Sequence, residues 1–149
     1  FSIKTENIPK VKQKITKFVN QKLANCELKA EKFIDAEMKL NAVTVKNCRL
    51  IKKLEPFGIG NPDPVFLFKQ VRVVDKRLLG STGDHLKLKI DDPSTPQKEN
   101  IIVDSIAFKK GEFDSKIKVG DLIDFTANLS LNIWNGYTSP QLVVKDFLS

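Results

Sequence analysis

Apolar and polar positions alternate strictly along residues 123–133, where every second side chain is apolar. A period of two is typical of a strand with one buried face. Asn135-Gly136, a dipeptide that favours a type I′ hairpin turn, follows this segment. Four further segments have strand character, and 65–78 is long enough to bend. The five predicted strands are 65–78, 85–90, 101–108, 123–133 and 141–147.

The pattern before residue 55 is helical instead. Apolar side chains recur at spacings of three and four residues, which places them on one helical stripe; they are Val11, Ile15, Phe18, Val19 and Leu23. We expect Asn7 to be the N-cap of this helix, with Pro9 in its first turn. Residues 32–38 are predicted to form a short strand, and Thr44 to cap a second helix that ends near Leu54.

Between these two parts, residues 55–64 contain three prolines and two glycines and form a predicted linker. The fold class is therefore α+β, with a helix–strand–helix piece at 1–54, the linker, and a five-stranded OB-type barrel at 65–149. A bent first strand and a long connection between the third and fourth strands favour an OB barrel. An SH3-like barrel fits the strand count nearly as well.

The predicted hairpin places two aromatic residues together. A two-residue turn pairs Trp134 with Tyr137 and Ser130 with Gln141, on the face that also carries Asn132 and Asn128. Exposed aromatic rings above amide side chains could stack nucleic-acid bases. The alternative is a cross-strand aromatic pair that only stabilises the hairpin. Both interpretations remain open at this point.

The net charge of +7 is concentrated at the N-terminus. Residues 1–54 hold 13 basic and 5 acidic side chains, whereas 55–149 hold 12 and 13. The N-terminal lysines either coat the exposed side of an amphipathic helix or contact phosphate. Within the barrel, residues 69–89 carry a local charge of +4, on the first two strands, where an OB barrel usually binds its ligand. An ordinary solvated face explains this charge equally well.

Residues suited to catalysis are few. His85 is the sole histidine, and neither Cys26 nor Cys48 is near it in sequence. The carboxylates Asp84, Asp91 and Asp92 flank the second barrel strand, but a hydrolytic metal site needs several ligands that converge on one point. Gly58-x-Gly60 follows a helix and lacks the third glycine of a dinucleotide-binding motif. We therefore expect no catalysis, cofactor or metal in this chain. No apolar run is long enough to span a membrane.

Several motifs resemble those of one known family in their order along the chain. They are Leu54-Glu55-Pro56-Phe57-Gly58-Ile59-Gly60-Asn61-Pro62-Asp63-Pro64-Val65-Phe66, then 84–88, 104–108 and 131–136, with Gln141-Leu142 and Asp146. This series resembles the C-terminal part of RecJ-type single-strand-specific DNA exonucleases. The resemblance covers nearly the whole chain, and the first motif is the most specific.

The resemblance implies that 1–54 is the end of a DHH-associated domain and 65–149 an OB domain. It implies a cytoplasmic DNA repair and recombination enzyme with 5′→3′ polarity. Its nuclease core, which uses a divalent metal such as Mn²⁺ or Mg²⁺, would lie outside this chain, and we expect Phe1 to follow a cut within a longer protein. The residues predicted to bind single-stranded DNA are Lys69, Arg72, Lys76, Arg77, His85, Lys87, Lys89, Trp134, Tyr137 and Gln141.

Three other functions remain to be weighed. The barrel could dock on the nuclease core or on single-strand-binding protein, and this is the main alternative. An RNA-binding OB domain of a translation factor is more distant. An independent phosphoesterase is disfavoured, because the Asp-His-His and glycine-histidine motifs of the family are missing from this sequence.

Overall fold

A computed structural model of the chain describes residues 2–24, 31–96 and 99–148. The chain divides into two compact units, Phe1–Lys32 and Phe33–Ser149. Cys26, one of the two cysteines, lies outside the described residues.

The first unit contains the predicted amphipathic helix, α1, over Ile8–Leu23. Asn7 occupies the N-cap position and Pro9 lies in the first turn, but the Asn7 side chain makes no capping hydrogen bond. None of the helical residues is buried. The apolar stripe is therefore solvent-exposed, and it includes Ile15, Phe18 and Val19 at 53%, 60% and 39% exposure.

The second unit begins with a short strand and a helix that pack on the barrel. The strand predicted at 32–38 shrinks to β1, Ala36–Glu37, which pairs in parallel with the next strand. Helix α2 spans Val45–Lys52, and the Thr44 hydroxyl caps it by accepting a hydrogen bond from the Asn47 backbone N–H at 3.1 Å. Leu40, Val43 and Cys48 are buried in the core from this segment. The helix ends at Lys52, two residues before the predicted end at Leu54, and the Leu50 and Leu54 side chains are about half exposed.

Five strands then form a ring with the connectivity of an OB fold. They are β2 (Phe66–Leu79), β3 (His85–Asp91), β4 (Val103–Ala107), β5 (Leu122–Trp134) and β6 (Tyr137–Leu148). The ring runs β2-β3-β4-β6-β5 and closes by pairing β5 with β2. β2 pairs with β5 through its first half and with β3 through its second half. Register shifts near Gln70 and Val74 bend it between the two partners, as its length predicted.

The core lies inside this ring. Phe68 and Phe125 are fully buried and stack with ring centroids 5.4 Å apart. The long connection predicted between the third and fourth barrel strands contains a 3-10 segment, Gly111–Ser115, and the Phe113 ring from it packs with its centroid 4.8 Å from that of Phe147. The alternation along 123–133 predicts that Ile133 faces the core, and this prediction is wrong. Ile133 is 69% exposed, because the hairpin of β5 and β6 continues past the buried core.

The Pro/Gly segment 55–64 is folded back on itself. The Asn61 side-chain amide donates to the backbone carbonyls of Leu54 at 2.8 Å and Pro56 at 2.9 Å. Gly58 and Asn61 exchange two backbone hydrogen bonds. Asn61 therefore fastens the segment to the end of α2, which explains how a glycine-rich stretch keeps one conformation.

Candidate nucleic-acid interface

The outward-facing side chains of β2, β3, β4 and β6 form one row across the sheet. On β3, Lys87 and Lys89 alternate with the buried Leu86 and Leu88 and therefore point away from the core. In this row the strand register places Lys89 of β3 between Asp75 of β2 and Asp104 of β4, and Asp104 lies opposite Gln141 of β6. In the neighbouring row, Arg77 of β2 lies opposite Lys87 of β3. We call this surface, from β2 to β6, the outer face.

A shallow depression of about 200 Å³ lies on the outer face between β2, β3 and β4. Five charged residues line it together with Leu88: Asp75, Arg77, Lys87, Lys89 and Asp104. The Lys87 ammonium is 3.0 Å from a carboxylate oxygen of Asp104. The structure thus brings three of the predicted basic residues together, but two carboxylates accompany them.

Arg72, another predicted contact, is held by an ion pair further along β2. Its guanidinium donates to both carboxylate oxygens of Asp91, at 2.9 and 2.6 Å. Asp91 is 6% exposed and also accepts a hydrogen bond from the Asn100 amide at 3.0 Å. The hydrogen bond and the charge of Asp91 raise the pKa of Arg72. This pair fastens β2 to β3 and to the loop after β3.

Lys69 and Lys76 are not brought to the depression. Lys69 is 2.7 Å from Glu37 of β1. Lys76 is opposite Leu88, whose side chain is buried, so it faces the other side of β2 from Arg77 and lies 3.1 Å from the Asp114 carboxylate. The predicted basic cluster is therefore divided between two sides of the strand.

His85 contributes to local structure at the start of β3. Its Nδ1 accepts a hydrogen bond from the Lys109 backbone N–H at 3.0 Å, and its ring packs edge-on against Phe108 with centroids 5.3 Å apart. This nitrogen is therefore occupied by the chain itself, and the ring links β3 to the segment that follows β4.

The hairpin has the predicted turn and register. Asn135 and Gly136 both have positive φ, at 47° and 80°, as a type I′ turn requires. Trp134 pairs with Tyr137 and Ser130 with Gln141, which confirms the expected alignment. The two aromatic residues are 72% and 82% exposed, and no ring–ring contact joins them within the described residues. They present separate aromatic surfaces to solvent.

The amide column expected below Trp134 is only partly exposed. Asn128 is 2% exposed, because the end of the 55–64 segment covers it, and its amide donates to the backbone carbonyls of Asp63 and Pro64 at 3.2 and 2.6 Å. Gln141 is half-buried, and its backbone interacts with the Cys48 thiol of α2. Burial raises the pKa of that thiol. Gln141 therefore marks the border between the open outer face and α2.

Asp104 and Asp75 are the residues of this surface that sequence reasoning missed. The alternation of β4, with Val103, Ser105 and Ala107 inside, is a signal that Asp104 faces outward. Its position between the two β3 lysines depends on a long-range register that the local pattern does not contain.

The comparisons with known proteins identify a family. A family profile described as the RecJ OB domain matches residues 34–146. The chain is 27% identical over 145 residues to the single-stranded-DNA-specific exonuclease RecJ of Bacillus subtilis (strain 168). The aligned region covers 97% of this chain and 18% of that protein.

Two solved structures of RecJ from Thermus thermophilus, one in complex with Mn²⁺ and one with Mg²⁺, are similar over 100% of this chain at 22% identity. Their TM-scores are 0.70 and 0.64, and the match covers 20% and 21% of those chains. This likeness concerns the fold. The chain spans about a fifth of the length of the relatives that it matches.

The residues described here do not fit the divalent metal that the family implies. Across residues 2–24, 31–96 and 99–148, no group of three or more His, Cys, Asp or Glu side chains is placed to hold an ion. No helix in the described part of the chain is long and apolar enough to cross a membrane.

Proposed function

This chain belongs to the RecJ OB domain family, and on that premise we propose that it is the non-catalytic, single-stranded-DNA-binding C-terminal region of a RecJ-like 5′→3′ exonuclease. The nuclease core and its metal then lie elsewhere in the protein. The proposal includes the process, DNA repair and recombination in the cytoplasm, which follows from the family alone.

One observation carries this function: the basic depression and the exposed hairpin aromatics belong to one continuous outer face. OB folds bind oligonucleotides with their second and third strands and with the loops after the first and fourth strands. Here those strands are β3 and β4, and the loop after the fourth barrel strand is the Asn135-Gly136 turn. The position of the charged and aromatic side chains therefore agrees with the general binding mode of the fold.

The dimensions of the outer face suit a short single strand. Gln141 lies two strands from Lys89, which is about 10 Å at the usual strand spacing. Tyr137 lies four residues further along β6, or about 14 Å. A strand that contacts both ends spans several nucleotides, within the roughly 4–16 that one OB fold binds. Arg77 and Lys89 would contact phosphates, and Trp134 and Tyr137 would stack on bases.

The test is a salt titration of the binding of fluorescein-labelled oligothymidylate, about 16 nucleotides long, measured by fluorescence anisotropy. Lys89→Ala should weaken binding and make the slope of log K against log[salt] shallower by about 0.7, the loss of one phosphate contact. Lys118→Ala, an exposed lysine in the turn before β5, is the matched control and should leave the slope unchanged. Absence of binding at low salt, or equal effects of the two variants, would contradict the function.

The exposed stripe on α1 favours a second candidate, docking on the rest of the RecJ protein. Five apolar side chains of this helix are more than a third exposed: Ile8, Ile15, Phe18, Val19 and Leu23. We propose that the nuclease core covers them. Phe18→Ala should weaken association with the separately expressed remainder of the protein, measured by calorimetry, while Lys17→Ala should not. Binding to single-strand-binding protein instead would redirect this docking function to that partner.

A further inference from the structure

Asp104 lies between the two lysines of the depression. In the β3–β4 register it is directly opposite Lys89, whereas Lys87 is opposite Ile106. Asp104 nevertheless forms an ion pair with Lys87. Lys87 therefore reaches diagonally across the ladder to place its ammonium 3.0 Å from the carboxylate. Asp75 is opposite Lys89 on the other side. The three cations of the depression therefore share it with two carboxylates, and Lys87 is held in an ion pair with one of them.

A carboxylate in this position uses the same donors as a phosphate. Both anions accept hydrogen bonds from an ammonium group, and both are attracted by the surrounding positive charge. We propose that the depression is a phosphate subsite that the Asp104 carboxylate occupies in the free protein, and that single-stranded DNA binds there by displacing Asp104 from Lys87. This inference rests on the proposed DNA-binding function and adds a competing group within it.

The geometry of the pair permits this exchange. A single N–O contact joins Lys87 to Asp104, and the lysine and carboxylate side chains are 16% and 32% exposed. The lysine stem is long and flexible, so its ammonium can turn outward toward a bound strand while Asp104 stays on β4. The Arg72–Asp91 pair is built differently. It has two hydrogen bonds, a third donor from Asn100, and a carboxylate side chain only 8% exposed.

Lys76–Asp114 provides a matched control for the Lys87–Asp104 pair. The N–O distance is 3.1 Å against 3.0 Å, and the carboxylate side chains are 34% and 32% exposed. Lys76 lies on the other side of β2 from the depression. Asp114→Asn and Asp104→Asn therefore change the net charge equally, but only the second frees a cation on the outer face.

The experiment measures oligothymidylate binding by the full 149-residue chain, in the salt titration described above. Asp104→Asn should bind about two- to fivefold more tightly than the unmodified chain, the factor that corresponds to one ion pair at the surface. Its slope of log K against log[salt] should stay close to that of the unmodified chain, because Lys87 contacts a phosphate in both proteins. Asp114→Asn should keep the affinity and the slope of the unmodified chain.

Each outcome separates this inference from the function on which it rests. Equal tightening by both variants, or weaker binding by Asp104→Asn, overturns the displacement of Asp104 while DNA binding itself stands. No binding by any of the proteins overturns both. Circular dichroism and thermal unfolding check that Asp104→Asn is folded. If it is not, Asp104→Ser removes the same carboxylate from Lys87 and should tighten binding in the same way.

Discussion

Replacing Trp134 by alanine separates two roles of the hairpin aromatics. If Trp134 stacks on a base, its loss weakens DNA binding. If it only stabilises the hairpin, its loss lowers the free energy of unfolding and leaves affinity unchanged. Ile133→Ala is the matched control, since Ile133 is the adjacent residue, points to the opposite side of β5, and is 69% exposed against 72% for Trp134.

The structure sets the size of both effects. Trp134 keeps only about a quarter of its surface covered, or about 40–60 Å² of the 150–250 Å² that aromatic side chains can bury. At about 25 cal/mol per Å² this is worth about 1–1.5 kcal/mol at most, and cross-strand pairs contribute about 0.2–1 kcal/mol. Loss of one stacked base costs about 1–3 kcal/mol, which corresponds to about 5- to 150-fold weaker binding.

The assay pairs oligothymidylate anisotropy with urea unfolding followed by circular dichroism, on the same protein samples. We expect Trp134→Ala to lose affinity by the factor above and stability by about 1 kcal/mol or less. Ile133→Ala should retain the affinity of the unmodified chain. Stacking is refuted if Trp134→Ala binds normally while unfolding more easily, or if the two variants weaken binding equally.

Two further predictions concern stability. A Cβ on Gly111 would lie 2.0 Å from the Gly83 carbonyl oxygen, so Gly111→Ala should lower the free energy of unfolding by about 1–3 kcal/mol. Gly58 has open space around it, so Gly58→Ala should change that free energy by less than about 0.5 kcal/mol. Similar losses for the two variants in urea titrations would contradict this prediction. Burial raises the pKa of Asp63, so the stability that its protonation confers is present below its ordinary pKa and is lost as the pH rises through the raised value. Asp63→Asn should therefore be more stable than the unmodified chain at pH 7 but not near pH 3, and an equal difference at both pH values would exclude a carboxylate effect.

Local sequence signals account for the hairpin and for the direction of the β3 side chains. A two-residue turn determines which residues pair, so Asn135-Gly136 and the alternation before it were sufficient to align Trp134 with Tyr137. The burial of Asn128 could not be obtained in this way. It depends on Asp63 and Pro64, which are more than sixty positions away in sequence and lie beside β5 because β2, which follows them, pairs with β5.

The same limit applies to the charge of the predicted site. Four of the six basic residues within 69–89 have carboxylate partners: Glu37, Asp91, Asp104 and Asp114. All four partners lie outside that window, so a local count of +4 included the cations and omitted the anions that neutralise them. Only contacts between distant strands bring the two sets together.

This pairing predicts a modest salt dependence for DNA binding. If only Arg77, Lys89 and a displaced Lys87 contact phosphates, two or three cations give a slope of log K against log[salt] of about −1.4 to −2.1 for a single strand. All six basic residues together would give about −4. A measured slope near −4 would mean that the four ion pairs open on binding. A slope near −2 would leave the exposed aromatic rings of the hairpin as the larger source of affinity. A neutral ring that stacks on a base releases no counterion, so its contribution does not add to the slope.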